Sequence, residues 1–360
     1  MKKLITLCAA LGCVCSAALA DINVSLAPGQ VSETVYITSI PIAEYAQGRN
    51  AVKTVLKDSV ALSAEGHSFK TPAFPAFNIL ADNEGQAVFF TEPGDIVTAV
   101  VSTSPFSAKF NGAKLVEAMN RVNAIIEPYQ EKLMQMVGSG TSPDSPEIRK
   151  LVDQLDADME RLCATSPDGT VQAYAAMSID DPEKQIAAFK GLGEAARQSP
   201  IFPIVEHTVK GTEASLKAEK LQEGLKGQPA PEFSLPAPDG KMVSISQFRG
   251  KWVILDFWGS WCGWCIKGFP ALKEAYKKYD GKLEIIGIDC GDSEDAWKNA
   301  IKKFQLPWVH VYNSEQAGVD KMYGIQGFPT KMIVDPQGKI VDITTGEDPS
   351  FFERLDNLMK

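Results

Sequence analysis

Apolar and polar positions alternate in short runs from Asp21 to about Pro105: ETVYITSI, SVALS, HSFKTP, QAVFF and DIVTAVV, separated by Gly, Pro and Asn. Period-two alternation broken by turn formers predicts half-buried strands, so residues 21–105 are expected to form an all-β sheet or sandwich. Pro93-Gly94-Asp95 supplies the turn into the last run. Beyond Asn111 the period lengthens. Leu115, Met119, Val122, Ile126, Tyr129, Leu133 and Met136 recur three and four apart, which predicts one stripe of a long helix, kinked at Pro128. A second helix opens at Ser145-Pro146-Glu147, with an N-cap, a first-turn proline and an acid at the positive end of the dipole; a third opens the same way at Asp181-Pro182-Glu183. The second carries Ile148, Leu151, Val152, Leu155, Met159 and Leu162 on one face. Such stripes read as helix packing, so residues 106–226 form a central α-helical region. Its end, GTEASLKAEKLQEGLKGQPAP, is a linker or a last surface helix with a boundary near Gly227.

From 227 to 360 strand and helix patterns alternate. Strands are predicted at Trp252–Phe257, Leu283–Asp289, Trp308–Tyr312, Thr330–Val334 and Ile340–Thr344, with Gln337-Gly338 turning between the last two. Helices are predicted from about Gly263 to Tyr279, from Ser293 to Phe304 and from about Pro349. The order is that of an α/β domain with a mixed sheet. The chain is therefore expected to be multidomain: β-rich, then helical, then α/β.

Residues 1–20, MKKLITLCAALGCVCSAALA, have a two-lysine start, a short apolar core and a small-x-small ending at Ala18-Leu19-Ala20, the pattern of a cleaved secretion signal. A lipobox ending at Cys13 is the lesser alternative, with Ala10 a poor first residue. Cleavage before Asp21 removes Lys2 and Lys3 and takes the formal charge from −9 to −11, a balance that argues against nucleic acid. Cys163, Cys262, Cys265 and Cys290 remain, too few for a disulfide scaffold. The pair in WCGWC, residues 261–265, thus calls for a chemical explanation.

Cys262 follows a buried strand and precedes a helix, where free N–H groups and the dipole favour a thiolate. Cys265 lies one turn along the same face, placed to attack a mixed disulfide formed on Cys262. Asp256 stands in the apolar run VILDFW; burial there would raise its pKa and suit it to accept the proton of the second cysteine, whereas at the strand's end it would simply point to water. Zinc is disfavoured, because no second Cys-x-x-Cys or histidine pair is present. Cys163 and Cys290 could bridge, but read better as small buried hydrophobes, and His67, His207 and His310 read as structural.

WVILDFWGSWCGWC with the later YGIQGFPT resembles the thioredoxin fold, and more narrowly the TlpA/ResA-like thiol-disulfide oxidoreductases of the bacterial envelope, over Gly227 to Lys360. The entry APEFSLPAPDGKMVSISQFRGK, the strand and helix from Leu283 to Phe304 and the signal fit that subgroup. The entry is also peroxiredoxin-like, but LDFWGSW lacks the proline and threonine of peroxide-reducing sites. The resemblance implies a nucleophile at Cys262, a resolving cysteine at Cys265, a buried acid at Asp256 and a cis-proline at Pro329. It makes Trp261, Trp264, Phe328 and Thr330 substrate-contact candidates, Trp261 being partly core. It implies no cofactor, protein thiol or disulfide substrates, a periplasmic or envelope location and a membrane electron-transfer partner. Trp264 departs from the family's usual proline, and Phe328 from the β-branched residue usual before the cis-proline. A reductant is the expected role. An isomerase assembled as an oligomer through the N-terminal region, and a binding or assembly protein with an accessory redox domain, stand as alternatives.

Overall fold

The structure is a computed structural model that describes residues 21–30, 32–48, 51–63, 65–70, 74–103 and 105–360. The secretion signal expected at 1–20, Cys13 included, lies outside the described residues. The chain divides into two compact units, residues 1–213 and 214–360.

In the first unit the strands are β1 (Asp21–Leu26), β2 (Glu33–Pro41), β3 (Leu56–Leu62), β4 (His67–Lys70), β5 (Ala76–Ala81), β6 (Gln86–Thr91), β7 (Ile96–Thr103) and β8 (Phe106–Asn111), with a single-turn helix α1 (Ile42–Tyr45) after β2. They form two four-stranded sheets, ordered β4-β1-β7-β8 and β3-β2-β5-β6. All pairings are antiparallel except β1 with β7. Helices α2 (Lys114–Gly138), α3 (Pro146–Thr165), α4 (Gly169–Met177), α5 (Pro182–Lys190), α6 (Glu194–Arg197) and α7 (Phe202–Leu225) follow.

The expected border between a β domain and a helical region near residue 105 is not a border in the structure. One core joins Ile22, Val35, Phe89 and Val101 of the strands to Leu115, Met119, Ala173 and Val205 of the helices. Neither layer alone could cover its apolar face, so sheets and helices make one unit. The units divide at residue 213, within α7, and that helix ends at Leu225, just ahead of the border expected near Gly227. The caps read from sequence form: Ser145 accepts from the Ile148 N–H at the start of α3, and Asp181 from the Lys184 N–H at the start of α5. Helix α2 continues as one element through Pro128.

The second unit adds a hairpin, β9 (Ser234–Pro236) with β10 (Met242–Ser244), inside the entry segment, where no strand was expected. Then come β11 (Trp252–Trp258), α8 (Gly263–Lys278), β12 (Leu283–Asp289), α9 (Glu294–Phe304), β13 (Val309–Val311), the short α10 (Val319–Met322), β14 (Thr330–Val334), β15 (Ile340–Thr345) and α11 (Ser350–Leu358). The mixed sheet runs β13-β12-β11-β14-β15, parallel over its first three strands and antiparallel beyond. Central strands covered on both faces read as continuous apolar runs, which is why VILDFW and LEIIGI stand out in the sequence. On one face Leu255, Phe257, Ile286, Ile288 and Met332 meet Phe233 and Tyr323. On the other, Ile254, Trp258, Ile285 and Ile333 pack with Cys262, Cys265, Phe269 and Leu272 of the α8 segment. Among the described residues no helix is long and apolar enough to cross a membrane.

Candidate active site

The site forms where β11 hands over to α8. Cys262 is the N-cap of α8, and its Sγ accepts from the Cys265 N–H at 3.1 Å. The two cysteines are joined as a disulfide, the one such bond among the described residues. A sulfur at a helix start faces N–H groups that no preceding turn can use, an environment that favours the thiolate once the bond is reduced. The turn ahead of Cys262 is braced from the loop after β12. Asp292 accepts from both the N–H and the hydroxyl of Ser260, each at 2.6 Å, and the Trp261 indole N–H donates to the Cys290 carbonyl at 3.1 Å.

Asp256 lies two residues from Ile254 and from Trp258 along β11 and shares their face, so it faces the α8 side of the sheet, where both cysteines pack. It is 1 % exposed and does not point to water. Its Oδ1 has no hydrogen-bond partner among the described residues. Burial pushes its carboxyl up to about 6; the nearby Lys331 ammonium opposes that rise and the Glu347 carboxylate adds to it.

The Phe328–Pro329 peptide is cis, and the Pro329 carbonyl accepts from the Gly346 N–H at 2.7 Å. Phe328 is half-buried and meets Trp261 edge to face, ring centroids 5.2 Å apart. Trp261 and Trp264 are 57 % and 61 % exposed, so the expectation that Trp261 is partly core is corrected. Its ring is pinned at the surface by Phe328 and the Cys290 carbonyl rather than packed beneath it. The Lys267 ammonium stands 4.2 Å from the centre of the Trp264 ring. Thr330 is the other departure. Its side chain is buried, donating to the Gly327 carbonyl at 2.7 Å beside the Thr345 hydroxyl, so it supports the proline turn and offers no surface to a substrate.

Sequence reasoning missed the surroundings of Asp256. Strand register places His310, Gly287, Asp256, Lys331 and Thr344 in one row across the sheet. A lysine in the otherwise apolar TKMIV was a legible sign; its partner Glu347, in the turn after β15, left none. Cys163 and Cys290 are free, and burial raises both thiols, that of Cys163 to about 11. No group of side chains suited to a metal ion occurs among the described residues.

Comparison with known proteins locates the same stretch. Residues 226–343 match the AhpC/TSA family. The thiol-disulfide oxidoreductase ResA of Bacillus thuringiensis is 34 % identical over 145 residues, 40 % of this chain and 80 % of that protein. ResA of Bacillus subtilis is 34 % identical over 121 residues, 33 % of this chain and 67 % of that protein. The crystal structure of the thioredoxin domain of a thiol-disulfide oxidoreductase from Bacteroides vulgatus is 32 % identical, covering 38 % of this chain and 98 % of that one with a TM-score of 0.36.

Proposed function

The chain belongs, through its second unit, to the AhpC/TSA family and within it to the ResA-like thiol-disulfide oxidoreductases, and on that premise we propose that it reduces protein disulfides through Cys262 and Cys265. The observation that carries the reading is the placement of a cysteine pair at the N-terminus of α8 over a buried acid with a raised proton affinity. The Cys262 thiolate attacks one sulfur of a substrate disulfide, and the other sulfur leaves as a thiolate that takes a proton from water. Cys265 then gives its proton to Asp256 and attacks Cys262; the Cys262–Cys265 bond forms, and the second substrate sulfur leaves. A buried base on the face where the cysteines pack serves the step in which the Cys265 thiol must be deprotonated, and serves the reverse step equally. Trp261, Trp264 and Phe328 form the apolar rim that receives the substrate chain, with the cis-Pro329 turn alongside. The signal-like residues 1–20 support a periplasmic or envelope location, where a membrane electron-transfer partner recharges the pair.

Replacing Cys262 by Ser is expected to abolish turnover in insulin reduction, and replacing Cys265 by Ser to trap a mixed disulfide with the substrate. Full turnover by the Cys262→Ser protein overturns the assignment. The potential of the pair against glutathione decides direction: about −270 mV marks a reductant and about −120 mV an oxidant.

A further inference from the structure

Lys331 is a buried cation in the middle of a strand. It lies directly across from Asp256 in the β11–β14 register and shares the α8-facing side with Ile333. Its side chain is 4 % exposed, and among the described residues it pairs with Glu347, Nζ to Oε1 2.8 Å, at 27 % exposure. A lysine at such depth loses its hydration and is stable there only beside compensating charge.

The position of Glu347 explains how a turn residue reaches the pair. Gly268 lies in α8 one turn beyond Cys265. A Cβ built on Gly268 would stand 2.6 Å from Glu347 Oε1 and 3.1 Å from its Cδ. The missing side chain thus opens a slot in the helix surface, and the Glu347 carboxylate fills it. Asp256 of β11, Lys331 of β14 and Glu347 of the turn after β15, seated in the α8 slot, thereby place two acids and a cation around the layer that contains the cysteines.

We propose that Lys331 and Glu347 are positioning residues for the exchange reaction, an ion pair seated beside Asp256 through the Gly268 slot that fixes how readily Asp256 takes the proton of Cys265. The inference rests on the reading of Asp256 and Cys265 given above. Lys331 favours the ionised Asp256 and Glu347 opposes it, so the two act on the same acid with opposite sign. The other titratable groups facing this region do not share that role: Asp289, two residues beyond Gly287 on the same face of β12, is pushed up to about 8 by burial and by Asp292 and is not among the groups that shift Asp256. His310, whose ring lies over Gly287, the β12 residue beside Asp256, is held neutral by burial, and the Cys290 thiol is kept protonated. Cys262 and Cys265 are the reacting groups themselves.

The opposite signs make the test. The reduced chain from Asp21 onward, with the free Cys163 and Cys290 replaced by Ala, is mixed with the aromatic disulfide dithionitrobenzoate in a stopped-flow instrument and releases thionitrobenzoate twice; the second release is the attack of Cys265 on Cys262. Its rate is followed from pH 4 to 9 in the parent, Lys331→Met, Glu347→Gln and Lys331→Arg. Lys331→Met is expected to move the ionisation that governs this phase up by about one pH unit, and Glu347→Gln to move it down by a similar amount. Lys331→Arg restores the parent profile. Profiles that superimpose on the parent, or shifts of the same sign in both neutral variants, overturn the proposal. If Lys331→Met does not fold, the sign of the Glu347→Gln shift decides alone. An Asp256→Asn control whose second release keeps the parent's pH profile defeats the underlying reading of Asp256 instead, so the two failures are distinct.

Discussion

Replacing Asp256 by Asn should stabilise the second unit at neutral pH while slowing its chemistry. The Asp256 carboxyl is raised from 3.8 to about 6 by burial in the folded chain. A folded acid that binds its proton more tightly than the unfolded chain loses stability as pH rises, beginning near 3.8 and levelling off above about 6. At 1.36 kcal/mol per unit, the ionised carboxylate costs about 3 kcal/mol at pH 8. Asparagine has nearly the same shape and no such dependence. Any change in packing or hydrogen bonding that the substitution brings is present at pH 4 as well, so the change in the variant-minus-parent difference between pH 4 and pH 8 isolates the charge. Urea unfolding of the oxidised proteins followed by tryptophan fluorescence measures it. All six tryptophans lie between Trp252 and Trp308, so the signal reports the second unit alone. With urea slopes of about 1–3 kcal/mol per M, the variant's midpoint should gain about 1–3 M on the parent's between the two pH values. A difference that stays constant with pH would refute the argument that burial opposes this charge.

Two further outcomes follow from the same region. Burial, with no hydrogen-bond partner among the described residues, lowers His310 to about 3, so acidification from pH 7 to pH 4 should cost the parent about 3 kcal/mol that a His310→Phe protein does not lose, read from the same urea midpoints. Trp261→Ala removes an exposed ring braced against Phe328; KM for a protein disulfide is expected to rise about tenfold, while the small dithionitrobenzoate probe reacts as before. Equal losses with both substrates would assign the ring to the geometry of the turn rather than to substrate contact.

The second unit was largely legible in the sequence because its signals are local. A strand buried on both faces is an unbroken apolar run, and a cysteine pair after such a run announces a helix start; VILDFWGSWCGWC carries both. The hairpin β9–β10 escaped because its strands are three residues each, too short for alternation to show. In the first unit β2, β3, β4, β6 and β7 could be read, but not β1, β5 or β8, the last of which lies in the stretch expected to be helical, and not how the strands pair. The parallel pairing of β1 with β7 joins Ile22 to Val97, about 75 residues apart in the chain, and no local pattern encodes it. For the same reason the shared core of Phe89 with Leu115 and Val205 has no local sign, and the change of period near residue 105 predicts a domain border that the structure lacks. Around the candidate site, Asp256 was readable as a carboxyl out of place. The pair beside it was not, since Lys331 and Glu347 meet only through strand register and a missing side chain.

That missing side chain has a consequence for how such a site can change over generations. Gly268 contributes room, and the charge that occupies it comes from a turn after the last strand. Turns tolerate substitution and insertion more readily than the helix that bears the cysteines. The electrical character of the reactive pair is therefore open to revision by mutations remote from it in the gene, with WCGWC itself untouched.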